Sequence, residues 1–249
     1  MLLQGKLSIV TGGGGGFGRE ISLTLARSGS TVAVVDINES QAAEVAKQIR
    51  AEGGQAEPFK VDITNIQEVK GFIERLVEKF QKIDILINNA GATLGKPAVE
   101  VIEEDWYRVM DINLKGTFFM AQAAGREMIV GGGGNIVNIA SISGLVAEIN
   151  TSVYSTSKTG VIAITRNLAR EWARYNIRVN AVAPGYARTP MTEFLMEQEK
   201  FYNATLKHIP LRRLCNERDV AEAVLFLASE TSAYVTGHIL TVDGGRSTS

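Results

Sequence analysis

A chain of 249 residues with 45% hydrophobic content and a formal net charge of −1 is long enough to bury one sizeable core. Its near-neutral balance, with a sequence pI near 6.2, argues against a nucleic-acid footprint or a basic membrane-binding face and points to a small-molecule partner. One cysteine, Cys215, excludes an intramolecular disulfide, suits a reducing compartment and reads as a partly buried apolar side chain.

The chain passes from Met1 into a strand pattern without the apolar segment of a signal peptide. No run approaches the ~18 apolar residues of a membrane span, so a cytoplasmic protein is expected. Short Val/Ile/Leu-rich runs recur at 7–11, 31–36, 57–61, 83–88, 135–140, 178–183 and 239–242; such continuous runs suit strands covered on both faces. Between them, Ile21 and Leu25, then Val69, Phe72, Ile73, Leu76, Val77 and Phe80, then Val220, Val224 and Leu227 keep the three-four spacing of a helix face. The alternation predicts an α/β fold: a Rossmann-type, doubly wound parallel β-sheet with helices on both faces, as one domain over 1–249. The glycine run 131–134 reads as a turn. The stretch 189–214, with Pro190 and Pro210, reads as an insertion outside the sheet and a lid over the substrate.

Chemistry begins after the first strand. The run Thr11-Gly12-Gly13-Gly14-Gly15-Gly16-Phe17-Gly18 leaves that strand and opens a helix, where backbone free of Cβ atoms can approach a pyrophosphate and helix-start N–H groups can face it. Asp36 ends the second strand, 18 residues beyond Gly18. A carboxylate there can accept ribose hydroxyls and repel the extra phosphate of NADP. The loop carries no Lys or Arg, and Arg19 is expected to point away along the helix, so NAD is the predicted cofactor. Further on, Tyr154 and Lys158 are four apart on a helical pattern and share a face. Ser141 follows the fifth strand and Asn113 lies in the long helix before it, so both could reach the carboxyl edge of the sheet, where such folds place ligands. His208 and His238 are too far from other ligand types to suggest a metal, and none is expected.

With the glycine loop, Asp62, Asn88-Asn89-Ala90-Gly91, Asn113, Ser141, Tyr154-Ser155-Thr156-Ser157-Lys158, Pro184-Gly185 with Thr189, and Val242-Asp243-Gly244-Gly245, the chain resembles the short-chain dehydrogenase/reductase family from end to end. The resemblance implies a catalytic set of Asn113, Ser141, Tyr154 and Lys158. It implies cofactor contacts from Gly12, Gly16, Phe17, Gly18, Asp36, Asp62, Ile63, Asn89, Ala90, Gly91, Tyr154, Lys158, Pro184, Gly185 and Thr189. Asp62 and Asn89 would flank the adenosine, Thr189 would lie near the nicotinamide amide, and Asn113 would hold a water against Lys158. It also places the apolar-rich helices over 106–128 and 153–175 at a subunit interface, so a homotetramer is expected. A non-catalytic dinucleotide sensor on the same fold would have little need for the full polar set.

Substrate contacts are expected from Ser141, Ser143, Glu148, Tyr154 and Tyr186. Ala140 stands where many relatives carry a second serine, and Phe17 is bulkier than the usual loop residue. Glu148, between Ser141 and Tyr154, would suit a hydroxyl-rich substrate if it faces the pocket, although a solvent-facing orientation fits the sequence equally well. The run 171–192 looks like family members acting on sugar acids and polyols, such as gluconate dehydrogenases. The overall frame also looks like β-ketoacyl-acyl-carrier-protein reductases, which usually carry a basic residue in the glycine loop. The expected reaction is NAD(H)-dependent interconversion of a secondary alcohol and a ketone.

Overall fold

A computed structural model describes residues 1–189, 192–193 and 197–248. Seven strands, β1 (Leu7–Thr11), β2 (Thr31–Asp36), β3 (Gln55–Lys60), β4 (Ile85–Asn88), β5 (Gly134–Ile139), β6 (Ile177–Pro184) and β7 (Ile239–Val242), form one sheet in the order β3-β2-β1-β4-β5-β6-β7. Every ladder is parallel. The chain runs outward from β1 to β3, crosses over, and runs outward again from β4. The crossover opens a crevice beyond the carboxyl ends of β1 and β4, where open α/β sheets take ligands.

Strand residues alternate between two apolar layers because successive side chains point to opposite faces. Val10, Val32, Val34, Ile87, Val137 and Val182 pack under Ile21, Leu25, Val45, Ile49, Val220, Val224 and Leu227. These belong to α1 (Gly16–Arg27), α2 (Glu39–Ala51) and α8 (Glu217–Ala228). Ile9, Val35, Leu86, Ile136 and Val179 face the opposite layer, with Phe72, Leu76, Met120, Met128 and Leu168. That layer is built by α3 (Ile66–Phe80), α5 (Thr117–Val130) and α6 (Ser152–Trp172). The predicted stripe of α3 is buried at Val69, Phe72, Ile73 and Leu76, while Val77 and Phe80 are only partly covered.

β1, β2 and β7 have the expected boundaries, and the other strands differ by one or two residues at one or both ends, most at β3, which starts at Gln55 and contains Pro58. Pro58 is tolerated because β3 pairs only with β2, so its missing N–H removes no ladder bond on the outer side. The glycine run is a turn through Gly133, with Gly132 and Gly133 at φ +84° and +145°. Gly134 instead opens β5, where a Cβ would run into Met128.

Behind the carboxyl edge, a buried polar chain fixes α6 to the sheet. Asn88 Nδ2 donates to Asn138 Oδ1 at 2.9 Å, and Asn138 Nδ2 donates to Thr165 Oγ1 at 2.9 Å. The three side chains of this relay are satisfied by one another, which locks one register of α6 on β4 and β5. Between α4 (Glu103–Met110) and α5, residues Asp111–Gly116 form a π-helical stretch that contains Asn113; such insertions are frequent at functional sites. The segment after β6 carries α7 (Glu199–Lys207). The expected lid over 189–214 falls partly outside the described residues, Pro190 and Met191 among them. No described helix is long and apolar enough to cross a membrane.

Candidate active site

At the end of β1 the glycine loop is pinned to the end of β4. Thr11 Oγ1 accepts from the backbone N–H groups of Asn89 and Ala90 at 3.0 and 3.1 Å, and Asn89 Nδ2 donates to the carbonyls of Thr11 and Gly12 at 2.9 and 3.1 Å. Gly12 and Gly16 hold φ of +60° and +48°, a region glycine enters without steric cost. A Cβ on Gly18 would collide with Gly12 O and Asn89 Nδ2, so the loop and the start of α1 approach as only glycine allows. No side chain caps α1 and its first turn carries no acidic residue, which leaves its N–H groups available to an anion.

Asp36 turns toward this loop. Its Oδ2 accepts from Gly14 N at 3.0 Å and its Oδ1 from Asn38 N at 2.9 Å; an ionised carboxylate keeps further lone pairs for ribose hydroxyls. Arg19 donates to Gln48 Oε1 on α2 at 2.6 Å, directed away from the loop as expected. Asp62 Oδ1 accepts from Thr64 N and Oγ1 at 2.9 and 2.8 Å. Several of the expected cofactor residues have side chains engaged in packing or in bonds to the loop backbone. Ile63 buries its side chain in the core, Phe17 packs on the α1 layer, and Pro184 closes β6. Asn89 spends its amide on the loop backbone. Gly185 abuts Asp243, which a Cβ would meet at 2.8–2.9 Å, and Thr189 is buried with its hydroxyl 3.2 Å from that of Thr192.

The second cluster forms where β5 ends and α6 begins. Ser141 leaves β5 in extended backbone, φ −167°, and its Oγ accepts from Ser143 N at 3.1 Å. Its hydroxyl lies near enough to the phenol of Tyr154, in the first turn of α6, to favour the ionised phenol. One turn on, Lys158 is 5% exposed, lies 5.8 Å from the Tyr154 ring centroid, and donates to Ile139 O at 2.8 Å. Burial pulls the Lys158 ammonium down to about 8. Burial also pushes the Tyr154 phenol up; the Ser141 hydroxyl opposes that rise and the charge of Glu148 adds to it.

Asn113 is not turned directly on Lys158. Its Oδ1 accepts from Ala92 N at 2.7 Å, and its Nδ2 donates to Ala92 O and Ser157 Oγ, each at 2.9 Å. Ser157 in turn donates to the Tyr154 carbonyl at 2.7 Å. Asn113 therefore joins the loop after β4 to α6. Both approach Gly91, where a Cβ would lie 3.3 Å from Asn113 Oδ1 and 3.6 Å from Lys158 Nζ. The sequence reading missed Ser157 and the bridging role of Thr11; the only signal for Ser157 was its place one turn after Tyr154.

Glu148 faces inward. Its Oε2 accepts from Ser143 Oγ at 2.8 Å and its Oε1 from the Tyr186 hydroxyl at 2.9 Å; burial and this carboxylate hold the Tyr186 phenol well above its ordinary range. Ala140 lies in the core, 2% exposed, and so offers nothing to the pocket. The full polar set, Asn113, Ser141, Tyr154 and Lys158, is thus assembled beside a loop suited to a pyrophosphate. Tyr154 can exchange a proton with an oxygen that Ser141 also holds.

A family model described as enoyl-(acyl carrier protein) reductase matches residues 13–247. A 3-oxoacyl-(acyl-carrier-protein) reductase of Thermotoga maritima is 40% identical over 98% of this chain and 99% of its own. A 2-dehydro-3-deoxy-D-gluconate 5-dehydrogenase of Escherichia coli is 40% identical over 98% and 96%. Among solved structures, a 7α-hydroxysteroid dehydrogenase complexed with NADH and 7-oxo glycochenodeoxycholic acid superposes with a TM-score of 0.94 at 38% identity, covering 98% of this chain and 94% of that one. A gluconate 5-dehydrogenase from Burkholderia cenocepacia, in complex with NADP and tartrate, reaches 0.96 at 34% identity over 99% and 97%.

Proposed function

The chain belongs to the short-chain dehydrogenase/reductase family, and from that premise we propose that it oxidises a secondary alcohol of a sugar acid or polyol with NAD, through Tyr154. The observation that carries this reading is Tyr154 set one helical turn before the buried Lys158, whose Nζ lies 5.8 Å from its ring centroid, with Ser141 beside the phenol. NAD held at the glycine loop would supply the hydride acceptor and a positive charge beside the carbinol carbon. Tyr154 as phenolate takes the hydroxyl proton, Ser141 holds the oxygen that becomes the ketone, and Lys158 supplies the cationic field that favours the phenolate. A free tyrosine ionises near pH 10, so this field must supply about 4 kcal/mol for activity near neutrality. In the reverse direction the phenol, kept protonated by burial, is the acid.

The residues fit the cofactor: the cradle at Gly12 and Gly18 is closed to any Cβ, and the uncapped start of α1 offers N–H groups to the pyrophosphate. Asp36 beside Gly14 favours NAD over NADP. Asp62, Ile63, Asn89, Ala90, Gly91, Pro184, Gly185 and Thr189 would complete the site, and Ser143, Glu148 and Tyr186 would meet the substrate. The apolar groove between α5 and α6, lined by Phe118, Ile129, Ile164 and Trp172, suits a homotetramer, and the lone thiol of Cys215 suits a reducing cytoplasm. The segment after β6 would serve as a lid on a single domain. A substrate panel of gluconate, keto-deoxy sugar acids, polyols, steroids and acetoacetyl thioesters, run with both cofactors, tests the reading. NADH should form from a polyol or sugar acid and be lost by at least ~100-fold in Tyr154→Phe. Turnover confined to thioesters would replace the substrate class with ketoacyl reduction, and an unaffected Tyr154→Phe would refute the mechanism.

A further inference from the structure

Resting on the alcohol-oxidising reading above, we infer that Glu148 reads the carbon next to the reacting carbinol. Its carboxylate accepts a hydrogen bond from a substrate hydroxyl there and refuses a carboxylate. The two oxygen-binding places are contiguous. Ser141, which holds the reacting oxygen with Tyr154, accepts from Ser143 N, and Ser143 Oγ donates onward to Glu148. A second substrate oxygen on the neighbouring carbon therefore meets Ser143, Glu148 and Tyr186.

Each Glu148 oxygen is oriented by one neutral donor, Ser143 Oγ at 2.8 Å and Tyr186 OH at 2.9 Å. A carboxylate offers about four lone-pair sites, so each oxygen keeps capacity for another donor. A hydroxyl supplies that donor in a charge-assisted bond. A hydrogen, ether or ketone oxygen offers no donor to these lone pairs, and a carboxylate adds like-charge repulsion. The charge is felt where the chemistry happens, since it already acts on the Tyr154 phenol. Tyr186, whose ring stands edge-on to Phe201 of α7 at 6.2 Å, ties this reader to the segment beyond β6. The preferred substrate is thus a vicinal diol and the product an α-hydroxy ketone. A sugar acid must be oxidised at a carbon remote from its carboxylate.

The test uses one carbon frame: cyclohexanol, 1,2-cyclohexanediol and 2-hydroxycyclohexanecarboxylate, each with NAD, for wild type, Glu148→Gln and Glu148→Leu. Cyclohexanol turnover by the wild type reports on alcohol oxidation alone; the ratios of kcat/KM within each protein report on Glu148, and a general loss of rate cancels in them. In the wild type the diol should exceed cyclohexanol by at least ~10-fold and the hydroxy acid should fall at least ~10-fold below it. Glu148→Gln should recover most of the hydroxy-acid ratio, and Glu148→Leu should also bring the diol ratio to within ~3-fold of one. A wild type that takes the hydroxy acid as readily as the diol would overturn the inference, as would ratios unchanged in both variants. NADH formed from the sugar acids or polyols of the substrate panel but from none of these three would overturn the inference, and its absence from that panel as well would overturn the parent reading.

Discussion

Lys158 shows the cost of burying one ionisable side chain. Its pKa, pulled down to about 8 by burial, lies below the unfolded value near 10.4, so between those values the unfolded chain binds more protons. Stability therefore rises with pH in that window, and below about 8 the protein bears the full burden of a buried ammonium. Lys158→Met should remove this dependence: in urea unfolding of the apoprotein, the stability of the variant relative to wild type should fall by about 2 kcal/mol between pH 7 and pH 10. A constant difference would place the lysine in a wetter site. Glu148 acts on the same chemistry from the other side, because its charge disfavours the Tyr154 phenolate. Glu148→Gln should move the acidic limb of kcat/KM for alcohol oxidation to lower pH; a limb that stays, or moves up, would show that the carboxylate does not reach the phenol in the working enzyme. Tyr154, Lys158 and Asp36 were legible in the sequence because spacing and position specify them. The direction of Glu148 was not, since the loop between Ser141 and α6 has no periodicity to assign a face. The contacts of Asn113 were hidden for a different reason: the π-helical stretch adds a residue to its turn, and a 3.6-residue pattern cannot register that.

Among the elements, the glycine loop is the most constrained. Gly18→Ala places a methyl against Gly12 O and Asn89 Nδ2, so it should raise the Kd for NAD at least ~10-fold and destabilise the fold by about 1–3 kcal/mol, measured by cofactor titration and unfolding. Unchanged affinity would mean that the loop relaxes at no cost. Asp36, at the end of β2, accepts a hydrogen bond from Gly14 N of the loop, and on the proposed reading it selects the dinucleotide. Wild type should favour NAD at least ~100-fold in kcat/KM, about 2.7 kcal/mol. Asp36→Ser should lower use of NAD and raise that of NADP together, and Ile37→Arg added to it should favour NADP further, less so at high salt. A ratio that does not move would show that selectivity resides elsewhere in the loop. For α7, hydrogen exchange should slow when NAD and a substrate polyol bind together; equal protection with and without them would remove the lid from the mechanism. The strands were readable as apolar runs, but the edges of β3 were not, because Pro58 argues against a strand until its place at the sheet margin is known.

At the scale of the whole molecule, α5 and α6 lie close enough that Trp172 rests on Gly125, where a Cβ would meet its ring at 2.8 Å. Beside this contact the groove with Phe118, Ile129 and Ile164 remains open in the single chain. If a second copy fills it, light scattering should give a tetramer at micromolar concentration, and Ala163→Glu, exposed on α6, should dissociate it while circular dichroism stays native. A stable wild-type monomer would refute the assembly. The sheet order has a consequence for how the molecule is made. Each strand in turn joins a margin that already exists: β2 beside β1, β3 beside β2, then β4 on the free side of β1, and β5, β6 and β7 outward from there. No late strand must be inserted between two earlier ones, so a nascent chain leaving the ribosome can lay down the sheet in the order of synthesis. Chains stalled shortly after β5 should already resist proteolysis across β1–β4, with the glycine loop, Asp36 and Asn89 gathered at the crevice before Lys158 has been translated.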